Sequence, residues 1–237
     1  MAPQVGGSLV LFGIGSDAPG GILDALGLGG GGGGTTSPQY EEQIDDAESK
    51  LETNPKDQQA LLDLARYHYL SAVQSGVTTN PDTGVPEVSE DAHQELEDAV
   101  AAWTKYLTTD PQKANVSVAN NVVQSYVLLN DAGGAAKTQE IVAEANPSAS
   151  AYGALANYLY FDGKIAAGDA AAAKAVQEAD PSERDRIEKL LAQTSEAAKK
   201  QKKKLAKLPD SGATGEPELQ DPFGGLGGSS AVPPATP

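Results

Sequence analysis

Four prolines punctuate this 237-residue chain at Pro55, Pro111, Pro147 and Pro181, each preceded by Asn or Asp. Proline has no backbone N–H and pushes the residue before it out of the helical region, so each such dipeptide ends a helix. Pro111 to Pro147 is 36 residues and Pro147 to Pro181 is 34. A period of that length marks a helix-turn-helix unit, and one hairpin cannot bury its apolar faces without neighbours of the same kind. The period therefore predicts an all-α helix-turn-helix solenoid. Pro55 to Pro111 spans 56, about one and a half such periods, and the surplus falls on Ser75 to Ser89, SGVTTNPDTGVPEVS, read as an inserted turn-rich loop.

The helical pattern fills the period. In residues 148–181, Tyr152, Leu155, Ala156 and Leu159 line one helical face. Gly163 centres a turn, and the run from Ala170 to Ala175 supplies a second helix whose small inner side lets a neighbour come close. From Asp57 to Gln74 the inner face is Leu61, Leu64, Ala65 and His68, flanked by Tyr67 and Tyr69. Residues 37–54 open with Ser-Pro and carry Glu41 and Glu42 in the first turn, then Ile44, Ala47, Glu48 and Leu51 at helical spacing, which predicts an N-terminal capping helix. Residues 182–208 predict a C-terminal capping helix with Ile187, Leu190, Leu191, Thr194 and Ala198 as its stripe.

These residues resemble the tetratricopeptide repeat family, whose pattern runs W-x2-L-G-x2-Y, then A-x3-F, then P. Leu61, Leu64, Ala65 and His68, followed by Ala99, Trp103 and Pro111, match the first unit (57–111). Ala119, Val122, Val123 and Tyr126, then Ala135 and Pro147, match the second (112–147), where Gln139 stands in place of the aromatic. Tyr152, Leu155, Ala156 and Leu159, then Gly168, Ala172 and Pro181, match the third (148–181) with one extra residue. The resemblance implies a concave groove lined by the first helices that holds an extended peptide or a partner helix. It places Gln59, Arg66, Tyr69, Ser117, Asn120, Gln124, Asn157, Tyr160 and Phe161 on that wall. Amide side chains both donate and accept hydrogen bonds, which suits a peptide backbone, and aromatics add contact area at low entropic cost. The lysine cluster with which the chaperone-binding branch grips a terminal carboxylate is not matched. The function expected is a non-catalytic protein-interaction scaffold.

Charge and composition limit the alternatives. The net charge of −16 excludes a generally nucleic-acid-binding surface, since phosphates need a positive field. No cysteine occurs, so neither a disulfide framework nor a thiolate metal site forms. His68 and His93 are the only histidines. The carboxylates around His93 read as a solvated helix start rather than a metal site, which would want a second imidazole or several converging oxygens. His68 reads as a hydrogen-bonded structural residue and Trp103 as core. No G-x-S-x-G elbow occurs, and paired carboxylates fall on outward helix faces, so no catalyst, cofactor or metal is expected.

The basic residues are concentrated late: residues 182–207 hold 9 against 4 acidic ones. Lys199, Lys200, Lys202, Lys203 and Lys204 form a patch for which two readings stand. One is a solvated extension that favours the helix dipole and contacts the chain's own acidic body; the other is an electrostatic adaptor docking on anionic lipid or nucleic acid. Residues 1–36 read either as a flexible Gly-rich leader or as the stub of a membrane anchor, the layout of tethered repeat proteins in bacteria. The chain is thus expected to be cytoplasmic, or membrane-tethered if Met1 lies within a longer apolar segment. Residues 209–237 read as a disordered Pro/Gly/Ser tail.

Overall fold

The computed structural model describes residues 38–205, and the expectations for the leader, the anchor and the tail lie outside them. Among the described residues, eight helices and one two-stranded hairpin follow in order. They are α1 (Pro38–Thr53), α2 (Gln58–Gly76), β1 (Val77–Thr79), β2 (Pro86–Val88), α3 (Glu90–Leu107), α4 (Val116–Leu128), α5 (Ala132–Ala145), α6 (Ala149–Phe161), α7 (Ile165–Glu178) and α8 (Arg184–Leu205). The chain is all-α in its main framework.

Local chemistry sets the helix boundaries. Asp57, Ser89, Asn115, Asp131 and Ser148 each accept a hydrogen bond from the backbone N–H three residues on, satisfying a donor that the first turn leaves unpaired. Each such cap is worth about 1 kcal/mol. α7 has no side-chain cap at Lys164. Its entry depends instead on Gly163, whose φ of +70° lies in the left-handed region that side chains resist. Each of the four prolines sits two to four residues beyond the end of α1, α3, α5 or α7.

Helices pack mainly on their sequence neighbours; in addition α2 meets α4 and α6 meets α8. Trp103, 1% exposed, anchors a core drawn from α1 to α5 that includes Ala47, Leu61, Leu64, Val118, Val122 and Val142. A second core joins α4 to α8 through Val123, Leu155, Tyr158, Ala175, Ile187 and Leu191. The N-terminal helix packs Ile44 and Leu51 on the first core, and the C-terminal helix packs Ile187 and Leu191 into the second.

Two expectations are corrected. The insertion is not an irregular loop but an antiparallel hairpin, pairing Val77 with Val88 and Thr79 with Pro86. Asn80 turns it, its side-chain oxygen accepting from the N–H groups of Asp82 and Thr83. The first helix of the third unit is not buried on one face alone. α6 lies among α5, α7 and α8, so Tyr158 and Tyr160 are buried along with Tyr152 and Leu155.

One contact recurs. Gly134 and Gly168 lie 34 residues apart, and a Cβ at either would drive into the ring of Tyr126 or Tyr160, which are themselves 34 apart. In both hairpins a first-helix tyrosine ring packs against a glycine near the start of the second helix. Gln139, where an aromatic was expected, is buried and donates from Nε2 to the Ala151 carbonyl at 3.1 Å. An amide here links α5 to α6 by a hydrogen bond instead of by ring packing.

Candidate functional site

The residues expected on the peptide-binding wall fall on α2, α4 and α6, the first helices of the three hairpins, but they do not share one fate. On α4, Ser117, Asn120 and Gln124 follow at three- and four-residue steps, the spacing of one helical stripe. Ser117 and Asn120 are exposed and Gln124 is half-buried, while Val118, Ala119, Val122 and Val123 fill the core. On α2, Gln59 is exposed and donates to Asp63, and Arg66 is half-buried. On α6, Asn157 and Phe161 are half-buried. The side-chain carbonyl oxygens of Gln124 and Asn157 are buried and make no hydrogen bond among the described residues.

Tyr69 and Tyr160 leave the wall. Tyr69 is 6% exposed and packs with Ala72, Ala92, Leu96 and Ala99. Tyr160 is 3% exposed and donates its hydroxyl to Asp169 Oδ1 at 2.9 Å. Ser195 on α8 donates to the same oxygen at 2.7 Å, and Lys199 Nζ lies 3.7 Å from the other. These bonds hold the Asp169 carboxyl below its ordinary range, the Ser195 hydroxyl foremost. Burial, then the Asp169 carboxylate, raises the Tyr160 phenol well above its ordinary value. Asp169 is thus a junction of α6, α7 and α8, and its chemistry is structural. The resemblance implies that both tyrosines line a groove; the structure buries them under neighbouring helices instead.

The lysine patch divides. Lys199 pairs with Glu196 at 3.2 Å as well as approaching Asp169, and Lys202 Nζ donates to the Gly163 carbonyl at 3.1 Å. Lys200, Lys203 and Lys204 are exposed and make no ion pair among the described residues. His68 Nδ1 lies 2.7 Å from Glu95 Oε2, half-buried between α2 and α3, which is the structural pairing expected. His93 reaches only Glu97, at 3.7 Å and one turn on. Among the described residues no group of three His, Cys, Asp or Glu side chains is placed to hold a metal ion. Among them, too, no helix is long and apolar enough to cross a membrane.

A groove that the sequence reading missed lies where α5 and α7 flank α6. Its cavity of about 350 Å³ is floored by Ala136, Leu155, Leu159, Ala167, Ala170 and Ala171 and rimmed by Lys137, Lys164, Lys174 and Glu140. The small residues of α7 make the hollow, since a larger side chain at Ala167 or Ala170 would fill it. Lys164 pairs with Asp162 at 2.7 Å, which raises its pKa; Lys174 sits 5.1 Å from the centre of the Tyr152 ring. One signal was available: these three lysines are the only basic residues between Ala114 and Glu183.

Neither the protein-family models nor the curated proteins contain a match to this chain. Its function is therefore argued from these surfaces.

Proposed function

We propose that the chain is a non-catalytic protein-interaction scaffold of tetratricopeptide-like repeats, which holds an extended peptide or a partner helix against α2, α4 and α6. The repeat reading rests on the proline period, the neighbour-on-neighbour packing and the tyrosine-on-glycine contact repeated 34 residues apart. The observation that carries the binding reading is the stripe of Ser117, Asn120 and Gln124. It is uncharged on a chain of net charge −16 and is unused by the core. Asn120 presents an exposed amide there, and Gln124 and Asn157 reach the surface in part. A peptide backbone supplies N–H donors at the spacing such amides accept. With Tyr69 and Tyr160 withdrawn into the core, the wall reduces to Gln59, Arg66, Ser117, Asn120, Gln124, Asn157 and Phe161.

The test is Asn120→Ala combined with Asn157→Ala, titrated calorimetrically with peptides selected on the intact chain from a displayed random library. Each lost hydrogen bond is worth about 1 kcal/mol, so affinity should fall roughly tenfold or more. Thermal stability should hold or rise, because alanine is the better helix former and one partnerless oxygen is removed. Unchanged affinity in the double variant would remove this wall from the reading.

A second reading rests on Lys200, Lys203 and Lys204, which are exposed and make no ion pair among the described residues: an electrostatic adaptor for anionic lipid or nucleic acid. Replacing Lys199, Lys200, Lys202, Lys203 and Lys204 with glutamine should then abolish binding to anionic vesicles. The same binding in the parent chain should weaken steeply with salt. Vesicle binding that survives either treatment would exclude it.

A further inference from the structure

We infer that the lysine-rimmed groove between α5 and α7 is a docking site for the chain's own acidic segment 216–223, Glu-Pro-Glu-Leu-Gln-Asp-Pro-Phe, which lies outside the described residues. The inference does not depend on the peptide wall. Leu155 and Leu159 face the groove, and Asn157 stands about 180° around α6 from them at 100° per residue.

Charge is the first argument. Lys137, Lys164 and Lys174 line the groove with one carboxylate, Glu140, and Lys164 is also paired with Asp162 beside it. They are a local concentration of positive charge on a strongly acidic chain, and neither Lys137 nor Lys174 has a carboxylate partner among the described residues. Unpaired lysines over an apolar floor favour an anionic ligand with an apolar anchor. Segment 216–223 supplies Glu216, Glu218 and Asp221 for the rim and Leu219 and Phe223 for the floor; residues 209–237 contain no basic residue at all. The half-open shape suits a peptide, which lays side chains in while its backbone stays in water.

Position is the second argument. The bond from Lys202 to the Gly163 carbonyl brings the end of α8 to the turn between α6 and α7. Lys164, the next residue, is already part of the groove's rim. The chain beyond α8 therefore starts beside the groove. The ten residues 206–215 can span roughly 33 Å when extended, ample to round the start of α7.

Carbodiimide coupling, which joins a carboxylate to a neighbouring amine, tests this on the full chain, with the cross-linked peptides read by mass spectrometry. An equal mixture of ¹⁵N-labelled and unlabelled chains separates links within one chain from links between two. Glu216, Glu218 and Asp221 should couple within one chain to Lys137, Lys164 and Lys174 at several times the yield seen with Lys50, Lys56 or Lys105. Phe223→Ala, which keeps every charge, should lower that yield several-fold, and so should an excess of synthetic peptide 215–226. Equal coupling to all six lysines would overturn the inference, as would an unchanged yield in the Phe223 variant. Links found only between labelled and unlabelled chains would also overturn it, by assigning the groove to a second copy's segment.

Discussion

The hairpins α2–α3 and α6–α7 solve the same problem with different side chains. α2–α3 closes over large apolar groups: Leu61, Leu64, Leu96, Trp103 and Tyr106 are all buried, and both helices have side-chain caps. α6–α7 puts its bulk on one helix. Tyr152, Leu155, Tyr158 and Tyr160 come from α6, while α7 contributes Gly168, Ala171 and Ala175 and begins without a cap. Large against large interlocks, in a core shared with α1, α4 and α5. Large against small lets the backbones approach, but a buried tyrosine hydroxyl needs a partner: Tyr160 finds Asp169 on α7, and Ser195 of α8 in turn holds the same carboxylate oxygen. The second hairpin therefore depends on its neighbour in a way the first does not. The same small residues that permit the close approach leave the hollow between α5 and α7.

Breaking that dependence should have the largest effect. Ending the chain after Pro181 exposes the seats of Ile187 and Leu191, each worth about 1.5–3 kcal/mol of burial, and strips Tyr160 and Asp169 of Ser195. Hydrogen exchange should show α6 and α7 losing protection while α2 and α3 keep theirs; uniform protection would mean that α8 supports nothing. Trp103→Ala is the counterpart in the first hairpin, expected to cost about 3–5 kcal/mol in denaturant unfolding and to act on the α1–α5 core. Gly168→Ala places a Cβ 2.5 Å from the Tyr160 ring and 3.2 Å from the Ala156 carbonyl oxygen. Overpacking of that kind costs about 1–3 kcal/mol, whereas an alanine on a helix surface would stabilise. A rise in the melting temperature would show that the ring does not lie where described.

The smallest effect sharpens the comparison by pH. Because Asp169 titrates below its ordinary value in the fold, the stability it contributes is present above the unfolded carboxylate range and lost as pH falls through the folded value. Asp169→Asn should reduce stability at neutral pH modestly and flatten the acid limb of the pH–stability curve. The phenols shift the opposite way. Burial raises Tyr158 to about 12 and raises Tyr160 too, so their contribution is whole below the ordinary phenol range and disappears as pH rises through the folded values. Alkaline unfolding, followed by exchange protection, should therefore begin at α6–α7. An unaltered acid limb in the Asp169 variant would mean that the junction stores no pH-dependent stability.

The pattern of Leu61, Leu64 and Ala65 was legible because α2 has one buried face, which is what a 3.6-residue period reports. The same period misjudged α6, since a helix packed among three others has no single face to detect, and Tyr158 and Tyr160 went unrecognised as core. The inserted hairpin escaped because its strands are three residues long, too short for alternation to stand out from the Asn80-centred turn. Of the proposed wall, Asn120 and Gln124 were named through the resemblance alone, and the structure leaves the first exposed and the second half-buried. The groove was not, because it is assembled from Lys137 on α5 and from Lys164 and Lys174 at and beyond the start of α7, and no spacing along one helix encodes that convergence.

Neighbour-on-neighbour packing also bears on how quickly the structure is reached. Contacts made chiefly between adjacent helices ask the chain to close only short loops before any burial is gained. Helical domains of such low contact order fold in microseconds to milliseconds, far faster than sheets of similar size. The β1–β2 insertion barely alters this, because doubling a loop's length adds only about 0.6 kcal/mol of closure entropy and its strands pair with each other. Each hairpin can then dock on the one before it as soon as its second helix is synthesised. The α6–α7 pair is the exception: its buried hydroxyl acquires its full set of partners only when α8 arrives, so the last helix made completes the last unit folded.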